Sequence, residues 1–182
     1  MKDAVDIATD TMTTIETPRI QLRRLRESDA AFIVELLNDP GFLRYIGDRR
    51  VRTLQDARNY IANGPMRSYE NYGYGLLLME SKQNGASMGL CGLVQRDYLP
   101  DPDLGFAALP QYRNTGMVFE AAAAVLKFAR EVLKMKRISA IVQPANLASL
   151  KLLDKLGFTL DRPFKRSAVD PEILVLAYSR LV

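Results

Sequence analysis

The residues best placed to do chemistry lie in one short stretch, Arg113-Asn114-Thr115-Gly116-Met117-Val118, between an apolar run ending at Leu109 and a long amphipathic segment. A strand, an arginine-bearing loop and a helix that opens near glycine form an anion site. The first four amides of a helix have no internal acceptor, and the helix dipole adds positive potential at that end. Gly116 lets the backbone approach a bulky diphosphate and can adopt positive φ. One strand later, Asn146 can cap a second helix and Ser149 occupies its first turn. Taken alone, these spacings also fit an ordinary loop and an ordinary helix cap.

What is missing narrows the chemistry further. Histidine is absent, which removes the commonest general base and the commonest metal ligand together. Cys91 is the single cysteine and sits in MGLCGLV, where it reads as a small buried hydrophobe, so a disulfide framework and a cysteine zinc cluster are excluded. Catalysis must then use carboxylates, hydroxyls, tyrosines, backbone amides or water, and no metal is expected. With 182 residues, 48% hydrophobic and 25% charged, the chain has the makings of one globular core. Its longest apolar runs, such as Ile173 to Tyr178, fall far short of the roughly 20 residues of a membrane-spanning helix. The first residues, MKDAVDIATD, carry acids where an export signal has its apolar stretch, so a cytoplasmic location without a membrane partner is expected. Net charge is +4, and residues 1–16 hold one lysine against four acids, leaving the remainder more basic. That surplus suits a phosphate-bearing cofactor, an acidic protein or nucleic acid alike. Nucleic acid is not expected, because no reading motif or basic tail accompanies it.

The elements that must hold these residues follow from periodicity. Residues 1–16 lack lasting periodicity and read as a loose arm, with a single domain over 17–182. Arg19 to Leu25 alternates as a strand with one buried face. Ser28 is placed to cap a helix through Phe32, Ile33, Leu36 and Leu37, which Asn38-Asp39-Pro40-Gly41 stops. Thr53 and Asp56 form a variant capping box for a helix through Ala57, Tyr60 and Ile61, whose end near Asn63-Gly64-Pro65 is open. Tyr74 to Glu80 and Met88 to Val94 flank Asn84-Gly85 as a hairpin, and Asp103 to Leu109 is a further strand. Val118, Ala122, Val125, Ala129 and Val132 then recur at helical steps on one side of a long helix starting near Gly116. Arg137 to Val142 is a strand, the helix capped by Asn146 ends at Gly157, Phe158 begins a return strand, and Glu172 to Tyr178 is the last strand. This order predicts an α+β, mixed α/β fold with helices on both faces of the sheet.

The stretches DLGFAALPQYRNTGMVFEAAAAVLKFA and QPANLASLKLLDKLGF resemble the RimJ/RimL-like branch of the GNAT superfamily of acetyltransferases, as does RIQLRRLRESDAAFIVELLNDPGFLRYIG nearer the start. The resemblance implies the acyl-coenzyme A N-acyltransferase fold, a central twisted, mostly antiparallel sheet. Its fourth and fifth strands, Asp103 to Leu109 and Arg137 to Val142 here, splay apart around the cofactor arm. Acetyl-coenzyme A is the implied co-substrate, with Phe106, Ala107 and Ala108 along its arm. The implied pyrophosphate loop, of the form Q/R-x-x-G-x-G/A, is Arg113, Asn114, Thr115, Gly116, Met117 and Val118. Arg113 and Gly116 match it. Val118 stands in place of glycine or alanine, Asn114 where relatives often have glycine, and Phe119 in place of a small hydroxyl residue. A branched Val118 either crowds the diphosphate or points into the core, and its place on the helical stripe favours the core.

Asn146 and Ser149 match the family's N-x-x-S feature, which implies that Asn146 holds the cofactor's amide arm and that Ser149 gives a proton to the leaving sulfur. Leu153 stands where many members have a tyrosine for that proton. Direct attack by an amine asks mainly for positioning and for a backbone amide to stabilise the oxyanion. The amine must also lose a proton, and Asp103 is the first nominee for that base. Phe42, Tyr45, Arg49 and Tyr98 are the expected acceptor contacts. The acceptor is an amine, either a protein amino terminus or a small molecule, handled by a monomer or homodimer. The alternative is a non-catalytic acyl-coenzyme A binding or regulatory module with a degenerate loop.

Overall fold

Residues 14–165, 167 and 170–178 are described in the computed structural model of the protein. Eight strands form one sheet: β1 Thr14–Glu16, β2 Ile20–Arg24, β3 Leu76–Ser81, β4 Ser87–Val94, β5 Asp103–Ala108, β6 Ile138–Val142, β7 Thr159–Phe164 and β8 Ile173–Tyr178. Their order across the sheet is β1-β2-β3-β4-β5-β6-β8-β7. Every neighbouring pair is antiparallel except β5 with β6. That parallel pair has a single rung, Asp103 opposite Ser139, beside a bond from Ser139 N to the Pro102 carbonyl at 2.9 Å. Past this rung the two strands share no further ladder, so the sheet opens between the ends of β5 and β6.

The helices are α1 Ala30–Leu37, α2 Pro40–Tyr45, α3 Leu54–Ile61, α4 Arg67–Tyr72, α5 Met117–Glu131 and α6 Leu147–Leu156. They divide between two cores because adjacent strand residues point to opposite faces. Leu77, Met79, Cys91, Leu93 and Leu104 pack against Ala121, Ala122, Val125 and Ala129 of α5 and Leu153 of α6. Leu78 and Leu90, on the other face, pack against Ile33, Leu36 and Leu37 of α1 and Ala57 and Ile61 of α3. Strands covered on both faces read as continuous apolar runs, which is why β3 and β4 show no alternation.

The hairpin at Asn84-Gly85 forms as its residues dictate, with Gly85 at φ 71 and its amide on the Ser81 carbonyl at 2.8 Å. The Thr53 capping box closes in both directions, at 3.1 Å from Asp56 N to Thr53 Oγ1 and 2.8 Å from Thr53 N to Asp56 Oδ2. Elsewhere the expectations need correction. Thr14–Glu16, expected in the arm, pairs with β2 as an edge strand; residues 1–13 lie outside the described ones. Ser28 caps nothing. It lies within a short 3₁₀ turn, Glu27–Asp29, where the Asp29 carboxylate takes the Arg26 amide at 2.8 Å. Val132 is 48% exposed, because it follows the last residue of α5 and has left the apolar stripe. The helix after Thr53 does not stop near Asn63: a π turn, Ala62–Met66, carries it into α4, which Gly73 ends at φ 74. The longer hydrogen-bond spacing of a π turn lets Pro65 sit inside a helical run.

Candidate active site

The anion loop grows out of β5 through a 3₁₀ turn, Pro110–Tyr112. Asn114 then takes φ 59 and Gly116 takes φ 81, so both bends use the left-handed region. Asparagine tolerates that region better than other side chains, so Asn114 makes the bend without glycine. A Cβ on Gly116 would meet only Arg19 Nη2, at 3.4 Å. The backbone angle, rather than lack of space, is what requires glycine there. The first helical bond of α5 runs from Glu120 N to the Gly116 carbonyl at 3.0 Å. The amides of Met117, Val118 and Phe119 precede it, and the Thr115 hydroxyl, which donates to the Tyr112 carbonyl at 2.7 Å, holds the turn. Val118 is half-buried and packs against the α5 core, whereas Phe119 is 40% exposed.

Two arginines brace this loop from opposite sides. Arg113 Nε donates to the Ala108 carbonyl at 2.9 Å, and its Nη2 forms a short ion pair with Asp39. Asp39, buried at the start of α2, also accepts the Phe42 amide at 2.9 Å. Burial opposes ionisation of Asp39, but Arg113 and the Phe42 amide hold its carboxyl below the ordinary value. The pair depends on Gly41, where a Cβ would lie 2.8 Å from Arg113 Nη1. The guanidinium of Arg113 is therefore engaged with the end of β5 and with α2. Arg19, which the sequence did not single out, closes the other side. Its Nε lies 2.6 Å from Glu120 Oε2, its amide 3.0 Å from Glu120 Oε1, and its Nη1 3.3 Å from the Thr115 carbonyl.

Across the opening, Asn146 Oδ1 accepts the Ser149 amide at 3.2 Å and caps α6. Ser149 is half-buried, and its hydroxyl has no hydrogen-bond partner among the described residues. Leu153 is 1% exposed in the α5 and α6 core. Phe106 and Ala107 are half-buried on β5, and Ala108 is buried at its end.

Asp103 stands at the vertex of the opening. Its carboxylate is 1% exposed, and both oxygens accept from Arg96, Oδ1 from Nε at 2.7 Å and Oδ2 from Nη2 at 3.3 Å. Burial pushes this carboxyl above its ordinary value, against the pull of the guanidinium. A pocket of about 450 Å³ lies over that pair, lined by Arg49, Tyr60, Arg67, Gln95 and Arg96 among others. Its rim includes Asn63, Gly64 and Pro65 of the π turn. Two of its lining residues, Leu76 and Val94, lie against Gly105 of β5, where a Cβ would be 3.2 Å from Val94 Cγ2 and 3.3 Å from Leu76 Cδ2. Of the four expected acceptor contacts, Arg49 lines this pocket. Phe42 is buried in the α1 and α3 core, Tyr45 packs under Arg44, and Tyr98 stacks on Phe164 with centroids 5.7 Å apart. Arg96, Tyr60 and Arg67 were not among the expected residues. No group of three or more metal-ligating side chains occurs among the described residues, and no helix among them is long and apolar enough to cross a membrane.

Residues 19–159 match the Acetyltransferase (GNAT) domain family. The chain is 27% identical over 157 residues to the uncharacterized protein YkkB of Bacillus subtilis, covering 85% of this chain and 90% of that one. An acetyltransferase from Agrobacterium tumefaciens superposes with a TM-score of 0.79 at 26% identity, over 92% of this chain and 95% of that one. The ribosomal-protein-S5-alanine acetyltransferase of Vibrio fischeri shares the fold, with a TM-score of 0.77 at 16% identity over 92% and 97% of the two chains. A split sheet flanked by two helix starts, matched along most of its length by one family, leaves a single assignment: the chain belongs to the GNAT family of N-acetyltransferases.

Proposed function

We propose that the protein moves the acetyl group of acetyl-coenzyme A directly to an amine in the pocket lined by Arg49, Arg67 and Arg96. The observation that carries this reading is the one-rung contact between β5 and β6, with a left-handed glycine opening the helix at its mouth. The amides of Val118 and Phe119 have no helical acceptor and that of Met117 only a 3.5 Å contact with the Thr115 hydroxyl oxygen, which suits a diphosphate, and the open edge of β5 at Phe106 to Ala108 suits an amide-bearing arm. Asn146, whose oxygen is taken by the cap, keeps its amide hydrogens for that arm. The thioester supplies an acetyl carbon already activated toward nitrogen.

The chain's own residues then position and exchange protons. The amine nitrogen forms the new bond to the acetyl carbon and sheds its extra proton to solvent, the carbon–sulfur bond breaks, and Ser149 gives a proton to the departing sulfur and regains one from solvent. Asp103 acts by fixing Arg96: both carboxylate oxygens face the guanidinium, and neither is exposed to an incoming amine. No carboxylate among the described residues lines the pocket, so the amine reacts in its neutral form after losing its proton to solvent. Val118 packs against the core, which supports an open loop over the degenerate, non-catalytic one. The test is thiol release from acetyl-coenzyme A by the purified protein across a panel of amines, with product masses increased by one acetyl group. Tight binding of acetyl-coenzyme A with no acetylation of any amine would point to the non-catalytic module instead.

A further inference from the structure

We infer that the preferred acceptor is a small amine carrying an anionic group, a carboxylate or a phosphate, which Arg49, Arg67 and Arg96 hold in the pocket that they line. The inference rests on the acetyl-transfer reading above and names the substrate class of that site. Among the described residues three guanidiniums line the pocket, and no aspartate or glutamate does. Arg49 and Arg67 form no ion pair with any carboxylate among the described residues. Arg96 is compensated by Asp103, which takes Nε and Nη2, and its guanidinium also meets Tyr98. The positive groups converge: the Tyr60 hydroxyl, pushed up by burial, is pulled down by Arg49 and Arg96 together. Tyr74 donates to Gln95 Oε1 at 2.8 Å, which leaves the Gln95 amide hydrogens to a ligand.

Guanidinium forks match the paired oxygens of carboxylate and phosphate groups, and a cationic wall disfavours an acceptor bearing only positive charge. The volume of about 450 Å³ is that of a small-molecule site. Leu76 and Val94 of the pocket lie against Gly105 of β5, and Arg96 is tied to Asp103 of the same strand, along which the thioester arm is proposed to run. Charge on the acceptor is therefore recognised on one side of the pocket while its amine reaches the other.

The test compares matched acceptors that differ in charge: an amino acid, its amide, the corresponding amine without the carboxylate, its phosphate analogue, and a short peptide with a neutral amino-terminal residue. Thiol release gives kcat/KM for each. The expected result is a preference of about tenfold or more for the carboxylate or phosphate member over its neutral twin, and the two anionic arms tell which group fits. In the Arg49→Ala/Arg67→Ala double variant, checked for folding by thermal melting, that preference should fall by about tenfold. Equal rates on charged and neutral twins, faster transfer to the peptide, or equal losses on all acceptors in the double variant would overturn the inference. If no acceptor turns over, calorimetric titration with the N-acetyl amino acid and its amide decides the matter, and equal affinities overturn it. Absence of acetyl-coenzyme A binding in the same calorimeter would instead overturn the acetyl-transfer reading.

Discussion

Arg96 Nε lies 2.7 Å from Asp103 Oδ1, and this ion pair joins the vertex of the split sheet to the floor of the adjoining pocket. It turns the most prominent carboxylate near the site into a support for an arginine. Asp103→Asn should lower the melting temperature, since leaving one member of a buried pair alone costs about 3–5 kcal/mol. It should also raise KM for the acceptor more than it lowers kcat. Kinetics on the variant across pH check the assignment: a lost acid limb and a collapsed kcat at unchanged KM would make Asp103 the base.

With no carboxylate among the described residues that line the pocket, the acidic side of the pH profile should belong to the acceptor. Rates should rise with pH toward the amine's own pKa, and the midpoint should move when one amine replaces another of different basicity. A midpoint that stays fixed across such amines would identify a titrating group of the protein.

Ser149→Ala should lower kcat by about 1–3 kcal/mol of activation, roughly ten- to a hundred-fold, with little change in acetyl-coenzyme A affinity. The hydroxyl is half-buried without a partner, whereas the Ser149 amide serves the Asn146 cap, so the substitution leaves α6 intact. Equal kcat values, measured where chemistry limits the rate, would remove Ser149 from the mechanism.

Much of this site was legible in the sequence, and the missing parts share one cause. Local signals placed β5, the loop from Arg113 to Val118, the left-handed Gly116 and the Asn146 cap, because each depends on residues within a few positions. The roles of Arg113 and Arg96 depend on pairs such as Arg113 with Asp39, 74 positions apart, and on a pocket assembled from distant segments. Arg19 with Glu120, 101 positions apart, is hidden for the same reason. The helix α4 was hidden by Pro65, which ends helices in most settings and is accommodated here by a π turn.

Acid should unfold the protein partly through Asp29. Burial opposes its ionisation, yet two bonds from Arg23 at 2.9 Å and the Arg26 amide hold its carboxyl below the ordinary value. A lowered carboxyl contributes stability that is complete above its unfolded value and lost as pH falls through the folded one. Melting temperature should therefore drop below about pH 4, and Asp29→Asn should flatten that drop while melting lower at neutral pH. A wild-type curve that is flat from pH 6 to pH 3 would contradict this.

Val118→Ala should lower stability by roughly 1–2 kcal/mol, because the side chain packs against the α5 core, and should change acetyl-coenzyme A affinity less than about threefold. Calorimetry and melting on the same variant separate the two effects. Much tighter binding would mean that the side chain crowds the diphosphate after all.

The most direct test of the account is calorimetric titration of acetyl-coenzyme A into the wild type and Gly116→Val. Gly116 holds φ 81 at the mouth of the split sheet, a backbone angle that a β-branched residue resists. The wild type should bind with one site per chain, and the variant, still folded by circular dichroism, should bind about tenfold or more weakly. Equal affinity in the two folded proteins would contradict the placement of the cofactor, and no binding by the wild type at millimolar concentration would contradict the proposed activity itself.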